Sequence, residues 1–466
     1  MARSTSAQSR RGTGMGREIA AIVMGALMPS MDTTIVAIGN EALMSAFGVG
    51  ETAVQWVSTG YLLALAVAIP LVGWCEERFG GRRCWTAGLV LFLVGSAACA
   101  ASPGLWALVA CRVVQGFAAG ALVTLLTSLP VEIARARGIV AVGGVMSTVM
   151  LPLSLGPILG PIFGGVVLAL GTWHWLFLIN VPVGLVAIAL DRAWLGAASS
   201  TGQRAGRPFD LLGFALVALG TSALLLGFSE VGQGSGPLRA QVLVPLALGV
   251  ALFAAFVALP ATRDPARALV DVSLFRVRSV GAASASMFMA GATLYSAQFL
   301  LPLWLQRTFG ADALTAALML IPQGAGALVS RSLAGRLTDV YGGRVVALAG
   351  FALSAATALP FVAMGADVME LGLYAVLLVR GIATGMLIVP ITTACFRGLP
   401  TESVPRATVI IRMFQQVGGS FGTAAVAMAL PAGSAAFGPA ILVMTLVSAV
   451  GVVTLLLFPR VRKERR

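Results

Sequence analysis

Apolar residues run along this chain in blocks of about twenty, separated by short polar segments, and no block alternates with period two. A run of that length matches the hydrocarbon thickness of a bilayer when wound as an α-helix. Backbone groups in lipid must be satisfied internally, so only helices or closed barrels can cross, and the missing alternation excludes a barrel. The pattern predicts spans near 19–39, 54–74, 85–102, 104–128, 139–168 and 174–194. A pair follows near 209–229 and 240–260, and six more near 279–305, 312–334, 344–364, 370–396, 405–430 and 438–458. The fold class expected is therefore an all-α polytopic membrane protein with about fourteen transmembrane helices. The pair at 209–260 is long and uncharged enough to cross, with a re-entrant or peripheral hairpin as the alternative.

The blocks fall into an organised chain. Residues 1–18 form a polar, basic segment expected to be a disordered cytoplasmic N-terminus, read as leading into a retained first span because no A-x-A cleavage site follows. Residues 19–194 make an N-terminal six-helix bundle, 195–278 a linker with two extra helices, 279–458 a C-terminal six-helix bundle, and 459–466 a basic cytoplasmic tail. Two repeats support the halves. GWCEERFGGRR at 73–83 recurs as GRLTDVYGGR at 335–344, and CRVVQGFAAG at 111–120 is echoed by VRGIATGM at 379–386. A substrate path is expected between such halves.

Composition agrees: 58% of residues are hydrophobic, 11% are charged, and mean hydropathy is +0.94. A soluble domain carries about 25% charged residues, so the bilayer must be the solvent here. The net charge of +13 would suggest nucleic acid in a soluble protein, but the basic residues form no aromatic-interleaved patch, and no nucleic-acid partner is expected. They sit instead in clusters between spans. With the N-terminus in the cytoplasm, only Arg239 and Arg307 face outward and Arg112, Arg331, Arg380 and Arg412 fall within spans, which leaves 25 of the 31 basic residues inside. Outward loops carry Glu41, Glu51, Glu230, Asp312, Asp367 and Glu370. Both termini are placed in the cytoplasm.

Candidate chemistry is sparse. Asp32, about 13 residues into the first span, is the only acid placed inside one. A carboxylate at that depth costs about 2.5–3.5 kcal/mol on insertion scales, so it is expected to face a cavity or a partner. It reads as a proton carrier or an attractor of cationic cargo, against a purely structural acid bonded to Thr33, Thr34 or a neighbouring helix. Arg112, with Gln115 and Gly116 on the fourth span, could govern that acid's proton; the alternative is a snorkelling arginine. Arg380 is its counterpart in the second half, while Arg331 and Arg412 read as snorkelling anchors near cytoplasmic ends. Gly156, Gly160 and Gly164 fall four apart on one face, with Pro157 and Pro161 interrupting the ladder, which suits close helix packing. The repeated loops (Gly73, Glu77, Arg78, Gly80 and Arg82; Gly335, Asp339, Gly342 and Arg344) determine topology and could also act as a cytoplasmic latch. His174, between Trp173 and Trp175, reads as an aromatic-belt position. Five scattered cysteines and one histidine argue against a metal site, and no GxxxxGK[ST] string supports ATP-driven transport.

Taken together these motifs resemble the major facilitator superfamily, and within it the fourteen-span drug:proton antiporter group. MDTTIV at 31–36 resembles that group's first-helix motif, GWCEERFGGRR the superfamily loop, and LVACRVVQG at 108–116 the fourth-helix motif. GPILGPIFGG at 156–165 is similar to the fifth-helix antiporter signature, and WHWLFLINVPVG at 173–184 to the segment that follows it. The resemblance implies that Asp32 couples protons or cations and that Arg112 relays protons. Gln115, Gly116, Gly156, Pro157, Gly160, Pro161, Gly164 and Gly165 would shape the path. The family's loop Asp is Glu77 here, Glu76 adds a charge, Ala37 and Glu41 replace an Asn and a Pro, and His174 replaces an Arg.

The expectation is a non-enzymatic, monomeric secondary transporter in the bacterial plasma membrane, with no cofactor beyond the proton motive force. It would export small amphipathic compounds such as drugs or antibiotics by proton antiport, its partners being the substrate, protons and the lipid bilayer. The alternatives are an exporter or importer of one metabolite (a siderophore, sugar or amino acid), or a transporter-like sensor. An intramembrane enzyme is weaker, because no catalytic Ser/His or metal cluster lies among the spans.

Overall fold

A computed structural model describes residues 2–137, 149, 156–195, 210–231, 239–258, 272–363, 370–396, 399–400, 403–430 and 437–456. The N-terminal half holds α1 (Ala2–Ile38), α2 (Asn40–Phe47), α3 (Glu51–Phe79), α4 (Gly81–Ala100), α5 (Leu105–Ala136), α6 (Gly156–Leu170), α7 (Trp175–Leu178) and α8 (Asn180–Trp194). Two helices, α9 (Leu211–Val231) and α10 (Ala240–Ala258), precede a 3-10 turn at Val272–Arg276. The C-terminal half comprises α11 (Arg278–Phe309), α12 (Ala313–Met319), α13 (Ile321–Tyr341), α14 (Gly343–Ala356), α15 (Pro360–Ala363), α16 (Glu370–Gly385), α17 (Ile388–Phe396), α18 (Val404–Met428) and α19 (Gly438–Leu456).

Helix occupies all fourteen places that the apolar blocks mark, and among the described residues eleven helices are long and apolar enough to cross a bilayer by length and composition. Three blocks fall short for identifiable reasons. The first part of the 139–168 block and the Leu225 side chain within α9 lie outside the described residues. In α18 the apolar run is broken by Arg412, Gln415 and Gln416. The N-terminal segment expected to be disordered is helical from Ala2, continuous with the first span, and Pro29 is the only proline in that helix. The tail at 459–466 and most of the 195–209 linker lie outside the described residues.

Each half packs chiefly on itself, α3 on α5 in the first and α11 on α18 in the second. The most extensive contacts between the halves are α3 with α18, and α6 with α12. The second span of each half thus meets the fifth span of the other, as a two-fold related interface requires. Helices α9 and α10 pack mainly on each other, with α9 also touching α3 and α18.

The repeat seen in the sequence is reproduced in backbone geometry. Gly80 joins α3 to α4 at φ 87°, ψ 144°, and Gly342 joins α13 to α14 at φ 86°, ψ 145°. That region of conformational space is essentially open to glycine alone, so both turns demand it. Gly73 and Gly335, each seven residues earlier, both face open space.

Apolar side chains collect in two clusters. One contains Met28, Ala118 and Ala187, and the other Ile35, Leu108 and Phe177. On α1, α5 and α8 the positions between those clusters are occupied by Asp32, Arg112 and Asn180. A polar layer thus lies between two apolar ones.

Candidate functional site

The polar layer is where the sequence-selected residues meet. Asp32, Arg112, Gln115 and Asn180 are each at most 3% exposed. The Arg112 guanidinium donates through Nη1 to Asp32 Oδ2, forming a fully buried ion pair. Nη1 also donates to Gln115 Oε1 at 2.6 Å, and Nε to the Val57 carbonyl at 3.1 Å. The second Asp32 oxygen accepts from Gln115 Nε2 at 3.2 Å and from Asn180 Nδ2 at 2.9 Å. Gln115 Nε2 donates further to Ser96 Oγ at 2.6 Å. The Tyr61 ring lies 4.1 Å from the Arg112 guanidinium carbon, where its π-face supports the cation. Every direct hydrogen-bond partner of the carboxylate is a donor, so a proton placed on it would have to displace one of them.

Local sequence explains the construction. Arg112 and Gln115 are three apart on α5 and therefore share a face. Gly116, the next position, lets α5 approach the Tyr61 carbonyl so closely that a Cβ would collide with it. On α6, Gly156, Gly160 and Gly164 receive Ser30, Thr34 and Ile38 of α1 in turn. Three bare positions therefore bring α1 against α6 on either side of Asp32. Pro161 is buried in α6, whereas the side chain of Pro157 lies outside the described residues. Gly165 faces the other half, against Leu314 of α12.

Beside Arg112 a narrow cavity runs between the halves. Thr33, Ser58 and Tyr61 line it from one side, and Tyr295, Gln298 and Thr423 from the other. The hydroxyl of Tyr61 and the side-chain oxygen of Gln298 have no hydrogen-bond partner.

One feature escaped the sequence reading. Arg307, at the end of α11, donates to Glu41 Oε2 at 3.0 Å and to Glu51 Oε1 at 2.5 Å, joining the halves at one end. Gln306 Nε2 adds a bond to the Ile38 carbonyl at 3.3 Å. These are the charges that the positive-inside count assigns to outward loops, and their opposite signs on different halves were the available signal. Asn180 was also missed, although it stands in the quoted LINVPVG segment.

Other expectations need correcting. Asp32 is not the only acid inside a span: Asp191, in the last turns of α8, is 1% exposed and accepts from Thr86 Oγ1 at 2.7 Å. Arg380 is as buried as Arg112 but meets no carboxylate among the described residues; it donates to the Ser354 carbonyl at 3.1 Å and to Met444 Sδ at 3.0 Å. Of the repeated loops, the Glu77 side chain lies outside the described residues, Arg78 stacks over Trp74 at 5.5 Å, and Asp339 is exposed. Arg82 faces Asp191 within electrostatic reach, and Arg344 lies just beyond the Gly342 turn. His174 stacks on Trp173 with ring centroids 3.8 Å apart. No cluster of three or more metal-ligating side chains occurs among the described residues.

Two half-bundles, the first with a buried polar layer at its core and a cavity shared with the second, have the architecture of a membrane transporter, and comparison with known proteins agrees. The chain belongs to the Major Facilitator Superfamily, which matches it over residues 20–423 and again over 283–466. It is 34% identical over 424 residues to the multidrug resistance protein B homolog of Mycobacterium tuberculosis, covering 90% of this chain and 77% of that protein. The putative multidrug resistance protein MdtD of Citrobacter koseri is 30% identical over 404 residues, covering 86% and 83%. Among solved structures, a peptide transporter POT in complex with sulfate superposes with a TM-score of 0.68 at 13% identity, covering 94% of this chain and 93% of that one. The protein is thus a multi-pass secondary transporter of small molecules and not an enzyme.

Proposed function

We propose that this chain is a fourteen-span proton antiporter that exports small amphipathic compounds from the bacterial cytoplasm. It would act as a monomer with both termini inside. The reading rests on one observation above all: a carboxylate and a guanidinium wholly buried between two apolar layers, beside a cavity shared by both halves. Removing one partner of such a pair costs about 3–5 kcal/mol, so any event that neutralises Asp32 is strongly felt by Arg112 and the helices that hold it.

In this scheme a proton reaching Asp32 breaks its tie to Arg112. The freed guanidinium stays against Tyr61 beside the cavity, and α1 shifts along the glycine face of α6. The Arg307 cluster keeps one end closed until then; it opens as the halves rock, and the loops carrying Glu77 and Asp339 latch the opposite end. Each proton entering down 100 mV supplies about 2.3 kcal/mol for cargo leaving. Export as the direction is supported by the multidrug-resistance names of the relatives and by the fifth-helix signature. In inverted vesicles, Asp32→Asn is expected to abolish proton-coupled dye accumulation while the protein still folds. Coupling at the wild-type level in that variant would remove Asp32 from the mechanism.

A further inference from the structure

The hydrogen-bonding capacity of Gln115 is fully used, and its partners fix which way round the amide lies. Its Nε2 donates to Asp32 Oδ1 at 3.2 Å and to Ser96 Oγ at 2.6 Å. Its Oε1 accepts from Arg112 Nη1 at 2.6 Å and from Cys99 Sγ at 3.6 Å. Two N–H donors and two lone pairs are all that a side-chain amide has. Ser96 and Cys99 stand three apart on α4, share a face, and are completely buried. Gly95 lets that face close on α5: a Cβ there would lie 3.1 Å from Gln115 Cβ and 3.3 Å from its backbone nitrogen.

These four partners differ in kind. A guanidinium can only donate and an ionised carboxylate can only accept. While Asp32 is ionised and tied to Arg112, a reversed amide would set oxygen against oxygen and N–H against N–H, so one orientation is allowed. A hydroxyl and a thiol each donate and accept, so Ser96 and Cys99 satisfy the amide either way round. A proton on Asp32 Oδ1 turns that oxygen into a donor. The reversed amide then accepts from Asp32 and from the Ser96 hydroxyl, and its NH2 turns to the Cys99 sulfur. Oδ1 keeps a lone pair for Asn180 Nδ2. Arg112 has no acceptor to offer in exchange; Gln115 has.

We propose that Gln115 is a two-position amide toggle, turned over by the proton on Asp32 and kept hydrogen-bonded in both positions by Ser96 and Cys99. It is a positioning residue: it exchanges partners without displacing a helix, so the network takes up a proton while α4 and α5 stay packed. Cys99 loses its acceptor in the exchange, which makes its S–H a reporter built into the site. The toggle rests on the reading of Asp32 as the proton-coupling group, and the test separates the two.

The titratable groups facing the network are Asp32 from α1, Tyr61 from α3, Cys99 from α4, and Arg112 with the adjacent Cys111 from α5. Tyr295 of α11 lies across the cavity. On α8 the network meets only Asn180, since Asp191 bonds Thr86, and α6 and α7 contain no titratable residue. Phenols, thiols and guanidinium groups already carry their protons at neutral pH, so acidification adds a proton here only to Asp32.

The test uses the full-length protein in maltoside detergent with Cys75, Cys84, Cys111 and Cys395 replaced by Ala, which leaves Cys99 as the only thiol. Infrared difference spectra are recorded between neutral and mildly acidic pH. The S–H stretch falls where no other protein group absorbs, and it rises in frequency when the S–H loses its acceptor. The C=O stretch of a protonated carboxyl, assigned to Asp32 by its loss in Asp32→Asn, reports the proton independently. Acidification is expected to bring in the Asp32 carboxyl band and to move the S–H band upward over the same titration. In Asp32→Asn the S–H band should not respond to acid. In Gln115→Met it should lie at the higher frequency throughout; should that variant not fold, Gln115→Asn, whose amide is too short to reach Cys99, makes the same comparison. An Asp32 carboxyl band with an unmoved S–H band refutes the toggle and leaves proton coupling standing. An S–H movement that persists in Asp32→Asn or in the Gln115 variant also refutes the toggle. Absence of any Asp32 carboxyl band takes the proton away from Asp32 and overturns both.

Discussion

Replacing Arg307 by Gln tests whether the ion cluster between α11, α2 and α3 holds one end of the molecule shut. Glu51 is the stronger partner: its side chain is 6% exposed and its oxygen lies 2.5 Å from Nη1. A hydrogen bond to a charged group contributes about 1.5–3 kcal/mol net. Glu41, with a side chain 39% exposed, is screened by water and adds about 0–1 kcal/mol. Both bonds join the two halves, so they stabilise only the conformation in which this end is closed. Their loss is worth about 2–3 kcal/mol, a shift of roughly 30- to 150-fold in the closed-to-open ratio. Spin labels at Ser45 of α2 and Thr308 of α11, in a background with the five native cysteines replaced, report the separation of the halves at this end. Double electron–electron resonance should show a longer-distance population that is minor in the parent and dominant in Arg307→Gln. Glu51→Gln should do the same more strongly than Glu41→Gln. Identical distance distributions in all four proteins would show that the cluster is not a gate.

Three further changes probe the rest of the scheme. Gly160→Ala drives a methyl group into Thr34 and should lower stability by about 1–3 kcal/mol, read by thermal unfolding in detergent, with Thr34→Ala restoring part of the loss. Asn180→Leu removes one of the three donors to Asp32 and should slow proton-driven dye efflux in vesicles several-fold; an unchanged rate would separate Asn180 from coupling. Gly80→Ala and Gly342→Ala should each cost about 1–3 kcal/mol and by similar amounts, since the two turns share one conformation; a large effect at only one of them would break the proposed equivalence.

Much of the site was legible because buried charge is rare in lipid. Asp32 stood out as an acid in an apolar run, and Arg112 with Gln115 followed from the spacing of the fourth-helix motif. That they touch was an inference from resemblance until the helices were packed. Asn180 carries no charge, and an amide in an apolar stretch gives no signal until a carboxylate is seen beside it. Asp191 gives a weaker signal because it stands near a helix end, where a carboxylate costs less than at mid-span, although its burial is as complete. Distance from a helix end can be counted along the chain, but which way a side chain points depends on which neighbour covers that face.

The amino-acid order by itself determined that the bilayer is the solvent, where helices fall, and that the chain is built from two related halves. Those properties follow from run length, charge placement and local repeats, which act over one helix at a time. Only the tertiary structure decided the pairing of Asp32 with Arg112, the seat of Asn180 beside that pair, and the cluster that ties Arg307 to two glutamates. Each of these joins residues 80 or more positions apart, or asks which side of a helix meets a neighbour, and helix-to-helix packing supplies that information.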